Sequence, residues 1–68
     1  MRNKLRIGDI VYNKTAYMGE MLILKVEEKF CEAMFITGKY DGRIFIIRKF
    51  DDYEVCKNIF EENNKNED

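Results

Sequence analysis

The fold is decided by the stretch FCEAMFITGKYDGRIFIIRKF, which covers residues 30–50. Two apolar runs, 30–36 and 43–50, lie on either side of the polar sequence 37–42. This connecting sequence contains the dipeptide Asp41-Gly42, which is a strong signal for the turn of a β-hairpin. Short runs that are rich in phenylalanine and isoleucine are typical of strands. The stretch therefore predicts two strands that form a β-hairpin, with residues 37–42 as the connection.

Side-chain alternation distinguishes the two predicted strands, because successive residues of a strand point to opposite faces. In the first strand one face carries Cys31, Ala33 and Phe35, and the other face includes the charged Glu32. In the second strand, Ile44–Ile47, both faces are apolar. Such a strand is either covered on both sides or lies along an exposed patch. A homodimer that forms through the edge of Ile44–Ile47 is therefore one prediction.

Three further apolar segments predict the remaining strands, at residues 5–12, 21–26 and 53–56. No helix of about ten or more residues, the usual minimum for a helical segment, fits before position 54. The sequence thus predicts one all-β domain of five strands over residues 1–56. Residues 57–68 carry four acids and two lysines. There we expect a short C-terminal turn and then a mobile, solvated acidic tail.

The composition argues against several classes of function. The chain has 68 residues, a net charge of -1 and no histidine, and because it also lacks serine it cannot build a Ser-His-Asp triad. Two cysteines without histidine cannot close a four-ligand zinc site alone, and we expect both to be free, small buried hydrophobes. No apolar run approaches the roughly twenty residues that cross a bilayer. We expect a cytoplasmic protein that has no membrane partner, no cofactor and no catalytic activity.

The segment RIGDIVYNK, residues 6–14, resembles the opening of small SH3-like β-barrels. In that pattern Gly8 allows a tight turn into the first strand, Asp9 accepts hydrogen bonds from local backbone amides, and Val11 begins the core strand. The resemblance implies a five-stranded barrel, with residues 13–20 as its long first loop and residues 51–52 as the tight turn before the final strand. The chain also resembles the small bacterial and phage proteins of the YodC type, although their usual tryptophan is absent. The matching positions are Gly8, Asp9, Val11, Met21, Ile23, Cys31 and Phe35.

Aromatic residues in the predicted loops favour a module that binds a protein partner. Tyr17 and Met18 lie in a polar stretch beside a glycine, and Tyr40 lies at the tip of the predicted hairpin. Tyrosine and methionine in such places are typical of contact surfaces, and Tyr12 is a further candidate. Phe50 and Tyr53 are better explained as core residues that close the end of the barrel. The predicted function is a small accessory protein, of a phage or mobile element, or an inhibitor of a host factor.

Nucleic-acid binding is the alternative function, since small barrels of the KOW and Sm type bind it through basic loops and aromatic side chains. If residues 2–6 formed a strand, its basic side chains would share one face as a stripe. Against this, the net charge is negative and the acidic tail would compete for the same patch. The candidate basic residues are Arg2, Lys4, Arg6, Lys39 and Arg43.

Overall fold

A computed structural model describes residues 4–61 as five antiparallel strands in a single sheet. The strands are β1 (Asp9–Asn13), β2 (Met21–Val26), β3 (Cys31–Phe35), β4 (Ile44–Ile47) and β5 (Tyr53–Asn58). The sheet has the order β4-β3-β2-β1-β5. The described residues include no α-helix, so the predicted five-stranded all-β fold is confirmed. No helix in this part of the chain is long and apolar enough to span a membrane.

The hairpin between β3 and β4 turns where the sequence predicted. The backbone N–H of Gly42 donates to the carbonyl of Phe35 at 2.7 Å, and the N–H of Phe35 donates to the carbonyl of Arg43 at 2.9 Å. Two residues of the second arm therefore lie opposite one residue of the first, as in a bulge that begins with glycine. This bulge fixes the register of the hairpin, in which Ala33 pairs with Phe45.

One face of the sheet forms the core. Its buried cluster contains Leu5, Val11, Met21, Ile23, Cys31, Ala33, Phe35, Ile47 and Phe50. A flat sheet would separate β1 from β4 by about 14 Å, at about 4.8 Å for each strand. Because Val11 in β1 and Ile47 in β4 are both fully buried, and no second sheet or α-helix covers this face within residues 4–61, the sheet must curl over it. Within residues 4–61 no pairing joins β4 to β5, so the predicted closure into a barrel is not observed there.

The short connection before β5 supplies part of the core, as predicted. Residues Phe50–Asp52 form a 3-10 turn in which Phe50 is buried, and Tyr53 packs against the core cluster. The N–H of Lys14 donates to the carbonyl of Asp52 at 2.7 Å. This bond holds the turn against the end of β1, at the place where the sequence predicted the tight turn before the last strand.

The predicted first strand, residues 5–12, is wrong at its start, because β1 begins at Asp9. The chain turns just before this point: the N–H of Asp9 donates to the carbonyl of Arg6, and the N–H of Arg6 donates to Oδ2 of Asp9 at 2.8 Å. Lys4 and Arg6 therefore precede the sheet and do not share a strand face. Arg2, the third residue of the predicted basic stripe, lies outside the described residues.

The last strand is longer than the predicted 53–56, since β5 continues to Asn58. A turn at 59–61 follows it, and the ring of Phe60 lies over Gly8, which has a φ of +91°. A short C-terminal turn is thus present. The predicted mobile tail begins at Glu61, but Glu61 belongs to this turn and its carboxylate accepts a hydrogen bond from Arg6. The rest of the predicted tail, residues 62–68, lies outside the described part of the chain.

A buried polar pair ties the N-terminal turn to the end of β5. Asp9 is only 1% exposed, and the Nδ2 of Asn58 donates to its Oδ1 at 2.8 Å. The same Asn58 amide donates to the carbonyl of Ile7 at 3.1 Å, and its Oδ1 accepts a bond from the N–H of Phe60. Two predicted roles are confirmed. Asp9 bonds a local backbone amide, that of Arg6, and Val11 is a fully buried core residue.

We expect Asp9→Ala to lower the free energy of unfolding by about 2–3 kcal/mol, because it removes the acceptor of one hydrogen bond from the Asn58 amide and of the bond from the Arg6 N–H. Chemical denaturation followed by circular dichroism measures this change. Asp51→Ala is the matched control, since Asp51 is exposed and exposed substitutions usually change stability by less than about 0.5 kcal/mol. Equal effects of the two substitutions would contradict a structural role for the buried pair.

Candidate functional site

Two loops meet at one end of the sheet. The loop between β1 and β2 covers residues 14–20, and the loop between β3 and β4 covers residues 36–43. A Cβ added to Gly19 would overlap the carbonyl oxygen of Thr37, and one added to Gly38 would lie 2.9 Å from the carbonyl oxygen of Met18. The two backbones therefore approach so closely that only glycine fits at these contacts.

Hydrogen bonds hold the two loops in this arrangement. The N–H of Glu20 donates to the Thr37 hydroxyl at 2.8 Å, and the N–H of Ile36 donates to the carbonyl of Glu20 at 2.8 Å. At the start of the first loop, Oδ1 of Asn13 accepts bonds from the N–H groups of Thr15 and Ala16. The first loop is thus fixed both where it leaves β1 and where it returns to β2.

A groove of about 590 Å³ lies between the two loops. Its lining comprises Tyr17, Met18, Gly19, Thr37, Gly38, Lys39 and Tyr40. The structure thereby brings together three of the four residues that the sequence proposed for partner binding. Tyr17 is 65% exposed and Met18 is 42% exposed, so neither has a role in the core. The fourth candidate, Tyr12, lies beside the groove. Its ring contacts that of Tyr17 edge to face, with 5.9 Å between the ring centroids.

Tyr40 forms the wall of this groove that packs against the core. Its ring lies 5.5 Å from that of Phe35, between ring centroids, and Phe35 belongs to the core cluster. The ammonium group of Lys39 lies 5.7 Å from the centre of the Tyr40 ring, within cation–π range. The site therefore combines two tyrosines, a thioether and one positive charge. This set suits an apolar side chain accompanied by a carboxylate.

A second cavity, of about 470 Å³, lies between the link from β2 to β3 and the connection from β4 to β5. It is lined by Glu28, Lys29, Arg48, Lys49, Phe50, Asp51 and Asp52. The sequence analysis did not single it out, because its residues come from two separate charged stretches whose approach depends on the curl of the sheet. The charges of both signs that line it give no preference for a charged partner.

The proposed basic residues do not form one surface. Arg6 forms ion pairs with Asp9 and Glu61, and the hydrogen bond that its guanidinium donates to Glu61 is the main reason why the pKa of Arg6 is raised. Lys4 lines a small cavity between the N-terminal segment and β5. Lys39 and Arg43 lie in the β3–β4 loop, the first before Tyr40 in the sequence and the second after it. The stripe predicted along the N-terminal segment is therefore absent from residues 4–61.

Cys31 and Cys56 are both free, as predicted, but only Cys31 is buried. Cys56 is exposed, contrary to prediction, because it is the extra residue of a bulge in β5: Val55 pairs with Val11 and Lys57 with the adjacent Ile10. Partial burial of its sulfur and the nearby carboxylates of Glu20 and Glu54 raise the pKa of the Cys56 thiol. No group of three or more metal-binding side chains occurs within residues 4–61.

No protein-family model, no curated protein and no solved structure matches this chain. A fold by itself does not determine function, which depends on the groups that a site presents. The geometry of the groove between the β1–β2 and β3–β4 loops therefore carries the functional argument.

Gly19→Ala is expected to unfold the groove end of the molecule, because the new Cβ meets the Thr37 carbonyl and the φ of +117° is unfavourable for alanine. We expect the free energy of unfolding to fall by more than about 3 kcal/mol, the upper range for backbone strain alone. Gly42→Ala is the matched control, since Gly42 has a similar φ of +93° but no atom within 4 Å of the added Cβ. Similar losses for both variants in thermal denaturation would contradict the close loop contact.

Because the thiolate is the reactive form, the raised pKa of the Cys56 thiol predicts that iodoacetamide alkylates this cysteine in the folded protein more slowly than it alkylates a cysteine in a short unstructured peptide. Glu20→Gln removes one of the carboxylates that raise this pKa, so the pH profile of the rate should move to lower pH. Glu28→Gln, which changes an exposed carboxylate in the link between β2 and β3, is the control and should leave the profile unchanged. A profile that is insensitive to Glu20→Gln would refute this influence.

Proposed function

We propose that this protein is a noncatalytic binding module that holds a segment of a partner protein in the groove between the β1–β2 and β3–β4 loops. The observation that carries the proposal is the convergence of Tyr17, Met18 and Tyr40 on one groove. Tyr17 and Met18 are exposed and contribute nothing to the core. Large exposed side chains that line a preformed concave surface are typical of binding sites.

The backbones of the two groove loops are held together before any partner binds. The two loops are joined through Gly19 and Gly38 and by the hydrogen bonds of Glu20 and Ile36, so little backbone ordering remains to be done on binding. Preorganisation of this kind reduces the entropic cost of association.

The chemistry of the lining defines the partner segment that we propose. Tyrosine and methionine together accept aromatic or aliphatic side chains, and methionine adapts its shape to them. Lys39 supplies one positive charge beside Tyr40, which favours a carboxylate on the same segment. We therefore propose a segment with a large apolar residue close to an aspartate or glutamate.

The wider setting that we propose is a small cytoplasmic accessory protein of a bacterium or phage that blocks or recruits another factor. The two free cysteines are consistent with a reducing compartment. We also propose that the chain is related to SH3-like barrels. It is supported by the Gly8-Asp9 entry to β1 and by the 3-10 turn before β5.

Nucleic-acid binding has less support than protein binding. Of the proposed basic residues within 4–61, Lys39 is the one whose charge lies over an aromatic ring of the groove, that of Tyr40, while Arg6 pairs with two acids. A phosphate backbone requires several unpaired cations along its path. We therefore treat nucleic acid as an outcome of the test and not as a second proposal.

We expect peptides selected from a random display library on the full chain to contain an apolar residue beside an acid and to lose affinity when the groove is changed. Tyr17→Ala should weaken binding about tenfold or more, since interface aromatics commonly contribute over about 1.4 kcal/mol. Fluorescence anisotropy with a labelled selected peptide measures the affinity. Because Tyr17 is exposed, the thermal midpoint should hardly change.

Leu24→Ala is the matched control, since Leu24 is also exposed but lies in β2, away from the groove lining. Its affinity should equal that of the unchanged chain. Equal losses for both variants, or unfolding of the Tyr17→Ala chain, would reject the site. If the selection yields no peptide and the chain instead binds mixed oligonucleotides in a salt-sensitive way, the nucleic-acid alternative replaces this function.

A further inference from the structure

The two edges of the sheet differ in how they are protected. β5 carries the bulge at Cys56 and the charged residues Glu54 and Lys57, and bulges and charges prevent edge strands from pairing with other chains. The opposite edge, β4, consists of Ile44–Ile47 and has neither a charge nor a bulge within it. Of the two edges, β4 is therefore the one that can accept another strand.

The backbone of β4 presents its free groups at two positions. In the hairpin the N–H of Phe35 donates to the carbonyl of Arg43, and in an antiparallel pair residues alternate between bonding to the neighbour and pointing away from it. It follows that Phe45 and Ile47 bond to β3, and that the N–H and C=O groups of Ile44 and Ile46 point outward. These four groups are the donors and acceptors that a further strand would use.

The outer face of the sheet carries an apolar row that ends at this edge. The register places Ile10 beside Leu22, Leu22 beside Met34, and Met34 beside Ile44. Ile44 is 56% exposed and Ile46 is 36% exposed. A row that crosses four strands thus stops at its most exposed member, and a strand added beside β4 would continue it.

We propose that the occupant of this edge is β4 of a second copy, paired antiparallel about a two-fold axis at Phe45. In this register Ile44 lies opposite Ile46 of the second copy, and Ile46 lies opposite its Ile44. The outward backbone groups therefore meet each other, as a hydrogen-bonded pair requires. Arg48 falls opposite Gly42, so that no cation faces a cation across the new pair.

The neighbouring registers are worse. An axis at Ile46 places Ile44 opposite Arg48 and sets Arg43 opposite Lys49, and like charges directly opposite each other destabilise a sheet. An axis at Ile44 places Phe45 opposite Arg43 and leaves Ile46 opposite glycine. The edge is thus complementary to itself in one register, which is what a two-fold interface requires. A foreign strand would instead need acids to match the arginines that flank β4.

Sedimentation equilibrium of the full chain with a reductant, which prevents crosslinking through Cys56, tests the association. Over about 1 μM to about 1 mM, the range of weak to moderate affinities, the mass should rise from 8.2 kDa to twice that value. Ile46→Lys should remain at the mass of one chain throughout. Leu24→Lys, a charge on an exposed residue of the central strand β2, is the control and should still dimerise.

Hydrogen exchange on the unchanged chain gives a second readout that needs no variant. The amides of Ile44 and Ile46 should become protected as concentration rises, while protection of the β5 edge stays constant. A chain that keeps the single mass at all concentrations, or a Leu24→Lys variant that also loses the dimer, would overturn the proposal. So would protection that does not depend on concentration.

Paired substitutions test the register. The double variant I44K/I46E places the introduced lysine opposite the introduced glutamate twice, so dimerisation should be retained. The matched variant I44K/I46K places lysine opposite lysine and should be monomeric. With an axis at Ile46, the glutamates of I44K/I46E would face each other, and both double variants would be monomeric. That result would reject the proposed register.

Discussion

Within residues 4–61 a single sheet, with no α-helix packed against it, must provide both layers of its own core, and the other features of this molecule depend on that constraint. Domains bury their apolar faces between packed layers, and here the second layer is the same sheet after it has curled. Leu5 and Phe50, which lie outside the strands, join the buried cluster together with Val11 and Ile47. The curl leaves two edges, and the connections β1–β2 and β3–β4 lie at the same end of the sheet.

The strands could be predicted because they are encoded locally. The Asp41-Gly42 dipeptide indicated the hairpin, and the alternation along β3 separated the face of Cys31, Ala33 and Phe35 from the face that carries Glu32. The structure shows that the first of these faces is the buried one. The start of β1 could not be placed from periodicity. Residues 5–7 have the pattern of a strand, but hydrogen bonds between Arg6 and Asp9 turn the chain there, and Asp9 is fixed by the distant Asn58.

The candidate site was predictable in its members but not in its geometry. Tyr17 and Met18 could be predicted as surface residues because they lie in a polar loop, where large side chains are hard to explain as core. Both are exposed. That they share a groove with Tyr40 depends on the contact of Gly19 with Thr37. This contact joins loops separated by a whole hairpin. The exposed position of Cys56 was missed for a similar reason, since a bulge is a property of the pairing between two strands.

The proposed groove and the proposed edge pairing are linked by the hairpin that precedes β4. Lys39 and Tyr40 lie in the loop at the beginning of this strand, and antiparallel pairing places the beginnings of the two β4 strands at opposite ends of the new ladder. A dimer would therefore carry two grooves that point apart. Two grooves on one rigid sheet raise the effective affinity for a partner with repeated segments, provided that their spacing matches. An oligomeric or repetitive partner would benefit most from such an arrangement, because the second groove binds without a further loss of translational freedom.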